Sequence, residues 1–340
     1  MAQNLSDPPL VLDRDGIDFR LLNAYQRDFP LTARPYAEIA RREGCRSTAI
    51  IERLERLRGK GAISRVGAVF APRRMGASSL VALAVPSARL DEVAEMVNAR
   101  SEVNHNYLRE HDWNMWFVAS AADAAALNRL VKAISIETQC PFISLPLLEE
   151  FHIDLGFDLA TGRKTGSAHR NVESERPIVL SDEERRLVAA LAPGLPLVEQ
   201  PFARIGEQCG QSADEVISRI GSWVAGGLIK RMGVVVRHHE LGYRANAMCV
   251  WDVPDESASA LGQELAAAEG VTLCYRRSRS LPDWRFNLFC MIHGRSRGEV
   301  EARIELLSTT YGLDRYPHAC LFSTRRFKQC GARYGGRLEA

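Results

Sequence analysis

Apolar residues recur along the chain with two different spacings, and they do so in the same order twice. In the first half, apolar positions three and four residues apart predict short helices at 13–24, 35–43 and 47–59. Gly44 fits the tight turn between the second and third helices, and Ser47 fits the N-cap of the third. Two helices joined by such a turn are typical of a helix-turn-helix domain.

The residues that follow alternate between strand and helix patterns. Strands are predicted at 63–70, 80–85, 103–109, 114–120 and 142–153, and helices at 88–99 and 122–135. This order predicts an α+β fold, in which the helix-turn-helix domain is followed by a βαββαβ, ferredoxin-like sandwich domain.

The second half of the chain repeats this organisation. Residues 31–76 align without a gap on residues 197–242, with 13 identities in 46 positions. Helices are predicted within 181–225 and at 257–269 and 297–311, and strands at 229–236, 245–251, 271–277, 286–292 and 319–327. The chain is therefore a tandem duplication, with helix-turn-helix domains at 12–70 and 178–236 and sandwich domains at 71–160 and 237–330. The polar stretch 161–177 is the predicted linker.

The composition of the chain argues against several classes of protein. The chain has 340 residues, of which 46% are hydrophobic and 25% are charged, as expected for more than one folded domain. It has neither an apolar run of about 18 residues nor a secretory signal pattern, so a cytoplasmic protein is expected. The eight cysteines include no CxxC pair, which predicts reduced core thiols rather than a zinc or iron–sulfur site.

Arginine greatly outnumbers lysine in this chain, whose net charge is only +2. A net charge this low disfavours a protein that coats nucleic acid. Arginine supplies 39 of the 44 cationic side chains, which suits bidentate capture of carboxylates or phosphates, although a GC-rich genome explains the same bias. The second candidate recognition helix begins with Asp214 and Glu215, which repel phosphate, so DNA binding is disfavoured.

The strongest local pattern is a set of polar side chains at alternate positions: His105, Tyr107, Arg109 and His111. On a strand, residues two apart share a face, so these four are expected to point into one cleft. A solvent-facing strand of mixed polarity is the alternative. The corresponding stretch of the second half has no histidine but three arginines, which suit carboxylate binding unless they form a solvated basic loop. Further candidates are Tyr275, Arg276, Arg277 and Arg279 in that stretch, His238 and His239 at a strand end, and Trp113, Trp116 and Trp284, which would wall a ligand slot or fill the core.

Several segments resemble known families. The junctions GAISRVG (61–67) and GLIKRMG (227–233) resemble those of the Lrp/AsnC family of transcription regulators. The segment NHNYLREHDWNMWF (104–117) resembles one subunit of the siroheme decarboxylases of the heme d1 pathway. The segments RHHELGYRAN (237–246), CYRR (274–277) and NLFCMIHG (287–294) resemble the other subunit. The resemblance extends from about residue 12 to residue 327 and is to a form in which both subunits are fused.

This resemblance implies a reaction, the loss of carbon dioxide from two acetate side chains of siroheme to give didecarboxysiroheme. Siroheme is a flat polycarboxylate that carries its own iron, so an apolar slot and several cations are implied, with no added cofactor and no separate metal ion. His105 and His111 are implied as the catalytic pair, one donating a proton and the other orienting a carboxylate, although either could ligate the iron instead. The implied substrate-binding residues are Tyr107, Arg109, Trp113, His238, His239, Tyr275, Arg276, Arg277 and Arg279.

The second module departs from the family pattern at Leu273, where related subunits commonly have histidine. The modules are therefore expected to act as a pseudo-heterodimer around one productive site, with histidine chemistry from the first and arginine anchoring from the second. Further copies of the chain and other enzymes of the heme d1 pathway are the expected partners. The alternative function is an Lrp/AsnC-like regulator that senses a small ligand or heme.

Overall fold

The computed structural model describes residues 12–153, 159 and 178–330, so the predicted linker lies outside the described residues. The helices are α1 Ile17–Ala24, α2 Pro35–Glu43, α3 Ser47–Gly59, α4 Pro72–Met75, α5 Leu90–Asn98, α6 Ala124–Thr138, α7 Asp182–Leu191, α8 Pro201–Cys209, α9 Ala213–Ala225, α10 Asp255–Ala267 and α11 Arg297–Tyr311. The strands are β1 Ile63–Phe70, β2 Ala77–Leu83, β3 Val103–Arg109, β4 Met115–Ala121, β5 Phe142–Ile153, β6 Ile229–Val236, β7 Ala245–Trp251, β8 Val271–Arg277, β9 Leu288–Gly294 and β10 His318–Gln329. The predicted α+β class and its repetition are confirmed.

The turns of the two helix-turn-helix domains are built alike, but the helices that follow begin differently. Gly44 ends α2 in the left-handed conformation that glycine adopts without strain, with φ 67°. The prediction that Ser47 caps α3 is wrong, because the N-cap is Arg46. The Ser47 hydroxyl instead donates a hydrogen bond to Glu199 Oε1 of the other half at 2.6 Å. In the second domain Ser212 does cap α9 and forms a capping box.

The two helix-turn-helix domains pack as one unit. The strands that follow them, β1 and β6, pair in antiparallel fashion with Gly67 opposite Gly233. A Cβ atom at Gly233 would lie 2.4 Å from the carbonyl oxygen of Tyr25, so this close approach requires glycine. Buried side chains of both halves share one apolar core, including Leu54 from the first and Ile220 from the second.

The remaining eight strands close into a single barrel in the order β10-β3-β4-β2-β5-β8-β9-β7. Each module supplies four consecutive strands, and the two seams are the antiparallel pairs β5–β8 and β10–β3. The sequence predicts the strands of each sandwich domain but not their closure into one barrel. Helices α5 and α6 cover the first module's sheet and α10 and α11 cover the second's.

The inside of the barrel is lined by side chains from both modules. Large apolar residues that pack there include Trp116, Met248 and Phe289. None of the described helices has the length and apolar character needed to cross a membrane.

Candidate functional site

Strand β3 holds three of the predicted site residues on one face. The rings of His105 and Tyr107 stack with centroids 6.5 Å apart, and the Arg109 guanidinium carbon lies 5.6 Å from the Tyr107 ring centroid. His105 Nδ1 is 2.8 Å from Asn104 Oδ1, within hydrogen-bonding distance. The alternate spacing therefore predicted this shared face correctly.

His111 does not join that group, so the prediction of four side chains in one cleft is wrong for this residue. Strand β3 ends at Arg109, whose N–H bonds to the carbonyl oxygen of Asn114 and closes a turn. Beyond this turn the His111 ring lies edge-on to Trp284, with centroids 5.5 Å apart, and its Nδ1 accepts a hydrogen bond from the Trp113 N–H at 3.0 Å. His111 and His105 therefore lie at opposite ends of β3.

Two of the predicted tryptophans lie in the core of the barrel and the third lies at its end. Trp116 and Trp284 are 2% and 1% exposed, with ring centroids 5.0 Å apart, so these two fill the core of the barrel. Trp113 is only half-buried, in the same turn as His111. The aromatic cluster closes the end of the barrel at which β3 terminates.

Arg109 reaches across the barrel interior from module one to module two. Its Nη1 donates to the carbonyl oxygen of Leu321 at 3.0 Å and lies 3.4 Å from Asn246 Oδ1. Its Nη2 is 3.8 Å from the sulfur of Met291. Burial lowers the pKa of this guanidinium. Arg109 therefore provides a buried positive charge where the two modules meet.

Strand β8 repeats the tyrosine–arginine pair at Tyr275 and Arg277. The Arg277 guanidinium carbon lies 4.6 Å from the Tyr275 ring centroid, and Nη1 donates to the carbonyl oxygen of Leu145 at 2.8 Å. Both side chains are buried. The repeat thus places one aromatic–cation pair on each half of the barrel wall.

Arg276 and Arg279 do not face the barrel interior with Tyr275 and Arg277, so the structure does not bring the three predicted arginines together. Arg276 points to the helix side of β8, where it pairs with Glu149 at 2.7 Å and Asp255 at 2.9 Å. Arg279, beyond the strand, pairs with Asp252 at 2.9 Å and with Asp255 at 2.8 Å. These carboxylates of the chain itself hold both guanidinium groups in ion pairs.

A group of arginines surrounds the His105 end of the barrel. The sequence did not predict that these arginines lie together. Burial raises the pKa of Tyr107, and three positive charges oppose that shift: Arg326, Arg109 and Arg237. Arg65, from β1, lies close enough to His105 to lower its pKa. We call Arg65, Arg237, Arg244 and Arg326 the arginine cluster.

Glu240 is the acidic residue that pairs within this cluster, with Arg326 Nη2 2.8 Å from its Oε1. The predicted His239 lies beside them, with Nδ1 3.6 Å from Glu240 Oε1, and burial lowers its pKa. The side chain of His238 lies outside the described part of the structure. Arg237 and Arg244 stand within a segment that carries the family resemblance. Arg237 comes close to β1 through the β1–β6 pairing, just beyond which its N–H donates to the carbonyl oxygen of Ala62 at 2.8 Å.

In the part of the chain that the structure describes, no matching group of arginines surrounds Tyr275, the tyrosine of β8 that corresponds to Tyr107. Strand pairing places Arg326 opposite Tyr107 and places Glu150 opposite Tyr275, the corresponding tyrosine. Glu150 forms an ion pair with Lys230. In the gapless internal alignment Arg237 corresponds to Ala71. At the matching positions of β8 and β3, Leu273 takes the place of His105. Arg277 and Arg109 act on Tyr275, whereas Arg326, Arg109 and Arg237 act on Tyr107.

A second histidine, His293 at the end of β9, also faces the barrel interior. Its Nδ1 is 2.8 Å from the hydroxyl oxygen of Thr272. Burial, reinforced by the charge of Arg109, lowers its pKa to about 4. Burial and Arg65 likewise lower the pKa of His105 to about 4. Both imidazoles are therefore neutral at neutral pH in the substrate-free protein.

Because these two histidines are buried in the neutral form, the free energy of unfolding is predicted to depend on pH. Between the folded-state pKa of about 4 and the ordinary 6.5, the unfolded chain binds more protons. The free energy of unfolding should therefore fall as the pH drops through that window, by up to about 3 kcal/mol per histidine. Urea denaturation at successive pH values measures the slope. H105Q should flatten it, with H318Q, at an exposed position, as the control; an unchanged slope in H105Q would contradict the assignment.

A paired helix-turn-helix unit joined to a two-module barrel, with one cationic end, defines a fused protein of the AsnC-like ligand-binding class. The family model described as "AsnC-like ligand binding domain" matches residues 74–152 and 240–328. The model described as "Siroheme decarboxylase NirDL-like HTH domain" matches residues 18–63 and 184–229.

Comparison with proteins of similar length identifies the family within this class. The chain is 46% identical over 320 residues to the siroheme decarboxylase NirDL subunit of Paracoccus pantotrophus, covering 94% of this chain and 97% of the relative. It is 31% identical over 318 residues to the siroheme decarboxylase of Hydrogenobacter thermophilus, covering 93% and 94%. The crystal structure of the siroheme decarboxylase NirDL in co-complex with an iron-uroporphyrin III analogue superposes with a TM-score of 0.67 at 28% identity, covering 93% of both chains. The chain belongs to the siroheme decarboxylase family and is a carboxy-lyase, which confirms the resemblance.

Proposed function

We propose that the chain removes two acetate carboxylates from siroheme and releases didecarboxysiroheme for heme d1 synthesis. The observation that carries this proposal is the position of His105 and Tyr107, which lie within the arginine cluster at one end of the barrel. The names of the full-length relatives and the analogue bound in a structural neighbour support it. Siroheme supplies its own iron as part of the substrate, and we expect no further cofactor. We also propose that the enzyme works in the cytoplasm.

We assign siroheme binding to the arginine cluster at the end of the barrel and to the apolar side chains inside it. Guanidinium groups form strong, bidentate hydrogen bonds with carboxylates, so Arg237, Arg244 and Arg326 are placed to hold the substrate's side chains. The apolar lining of the barrel, which includes Met248 and Phe289, suits a flat conjugated ring. The excess of arginine over acid at this end fits a polyanion.

The chemistry requires one proton for each carbon dioxide lost. Cleavage of the carbon–carboxylate bond releases carbon dioxide and leaves an electron pair on the side-chain carbon, which the conjugated ring stabilises. A protonated imidazole then transfers a proton to that carbon to form a methyl group. The neutral His105 can take up this proton when substrate binds, because carboxylates beside the ring raise its pKa. Solvent restores the proton after each turnover.

Other predicted residues receive roles that follow from their positions. Tyr107 and Arg109 line the wall next to His105, and Tyr275 and Arg277 line the opposite wall. His111 and Trp113 contact a substrate carboxylate at the other end of β3, and His239 supports the arginine cluster. Assembly with further copies of the chain or with other enzymes of the heme d1 pathway remains a prediction.

Anaerobic incubation of the purified chain with siroheme tests the function. We expect the product to be lighter by two carbon dioxide units, as judged by mass spectrometry, with no organic cofactor added. Unchanged siroheme together with tight binding of DNA would instead favour the regulator. Unchanged siroheme without DNA binding would also overturn the proposed function.

A further inference from the structure

His293 lies inside the barrel and was not a candidate from the sequence. It is half-buried on β9 and is held by the Thr272 hydroxyl, whose oxygen is 2.8 Å from Nδ1. The same hydroxyl donates to the Met291 carbonyl oxygen at 3.0 Å, which fixes its orientation. Because the hydroxyl's own proton is used there, it accepts the Nδ1 proton of the neutral imidazole. The ring is therefore held in one tautomer and one orientation.

His293 occupies a position in module two that corresponds to Ser120 in module one. Asn104 Nδ2 is 3.4 Å from Ser120 Oγ, and the Thr272–His293 pair spans the same two strands of the other module. Module two thus has leucine at the position of His105 but carries a histidine on the neighbouring strand. Each half of the barrel wall presents one imidazole, from β3 and from β9.

Arg109 links Tyr107, the neighbour of His105 on the inner face of β3, to the strands around His293. It follows His105 on the inner face of β3, and its guanidinium lies 3.4 Å from Asn246 Oδ1. Asn246 is the strand partner of His293 between β7 and β9, and the charge of Arg109 acts on the His293 ring. A macrocycle bound against Tyr107 and Arg109 would therefore face the two walls that carry the imidazoles.

We propose that His105 and His293 each donate the proton for one of the two decarboxylations of a single bound macrocycle. This inference rests on the proposed function and adds a second donor to it. A rigid ring held by its carboxylates presents its two reacting side chains at different points of its edge. One imidazole fixed on one strand serves one of those points, whereas imidazoles on β3 and β9 serve both without the ring turning over or leaving.

Each step balances in the same way. The bond between the side-chain carbon and the carboxylate breaks, carbon dioxide leaves without the bonding electrons, and the carbon retains them. Each imidazole takes up a proton from solvent when the substrate's carboxylates lie beside it. Its nitrogen then gives that proton to the carbon, so an acetate becomes a methyl group and the imidazole becomes neutral again. No electrons enter or leave, so neither oxidant nor reductant is needed.

The experiment follows the products of single-turnover reactions of the full-length H293Q variant with siroheme. We expect one decarboxylation to proceed near the wild-type rate and the other to slow by about 10²–10⁴-fold, so that a singly decarboxylated product accumulates. H105Q should accumulate a singly decarboxylated product of different chromatographic retention, because the other acetate remains. H318Q, at an exposed position, is the control for histidine loss.

Further measurements separate a proton donor from a structural residue. Siroheme binding to H293Q, followed by its absorbance, should stay within a few-fold of wild type, and added imidazole should restore the slow step in H293G. Double decarboxylation by H293Q at wild-type rates would overturn the inference. So would a common slowing of both steps without accumulation of the singly decarboxylated product. Wild-type chain that leaves siroheme intact would refute the proposed function itself.

Discussion

Replacement of His105 by glutamine is expected to slow one decarboxylation of bound siroheme by about 10²–10⁴-fold, the range typical of lost general acid–base groups. Glutamine keeps a hydrogen-bonding side chain of similar length but cannot deliver a proton near neutral pH. Affinity should change little, because the arginine cluster remains. Single-turnover mass spectrometry at saturating enzyme measures the rate, and absorbance titration measures the affinity.

His111 provides the comparison for this result. Its ring lies against Trp284 beyond the end of β3, away from the arginine cluster. If it orients a carboxylate there, H111Q should raise the dissociation constant more than it slows the chemical step. Near-wild-type rates for both decarboxylations in H105Q would contradict the placement of the donor on β3.

Neutralisation of Arg237 and Arg326 is expected to weaken siroheme binding by about tenfold or more for each arginine that is desolvated against a carboxylate. The loss should diminish as salt is added if the ion pairs are exposed to solvent. Titration of R237Q, R326Q and the double variant with siroheme, at two salt concentrations, measures both effects.

The chain offers a matched control in Arg276 and Arg279. These arginines pair with the chain's own carboxylates on the helix side of β8 and beyond it. R276Q and R279Q remove the same charge as the cluster variants, but they should affect the free energy of unfolding rather than affinity. Equal loss of affinity in the control and cluster variants would mean that binding follows net charge rather than this geometry.

Local patterns predicted individual elements well. The spans of β1, β3, β5, β6, β7 and β8, and those of α2, α3 and α11, match the predicted ranges. Periodicity depends on neighbours within one element, and those neighbours are visible in the sequence. Closure of the barrel was not predicted, because the seams β5–β8 and β10–β3 join strands far apart in the chain.

The same distinction explains the site. The shared face of His105, Tyr107 and Arg109 follows from a spacing of two, but the turn that diverts His111 depends on a backbone bond to Asn114. A spacing of two likewise separates Arg276 from Tyr275 and Arg277, but the carboxylates that pair with Arg276 and Arg279 come from other elements and are not visible in that stretch. The arginine cluster combines β1, β10 and the segment before β7, and no pattern within one element indicates that meeting.

The seams of the barrel also determine which modules can assemble a working site. The cationic end needs β3 of the first module beside β10 of the second, since that contact sets Arg326 against Tyr107. A symmetric pair of first modules would set Glu150 there instead and reverse the local charge. Joining both modules in one polypeptide raises the effective concentration of the correct pairing over such mismatched pairs. Covalent fusion thus keeps the partners in equal number and lets the two halves of a duplicated gene diverge without producing inactive hybrids.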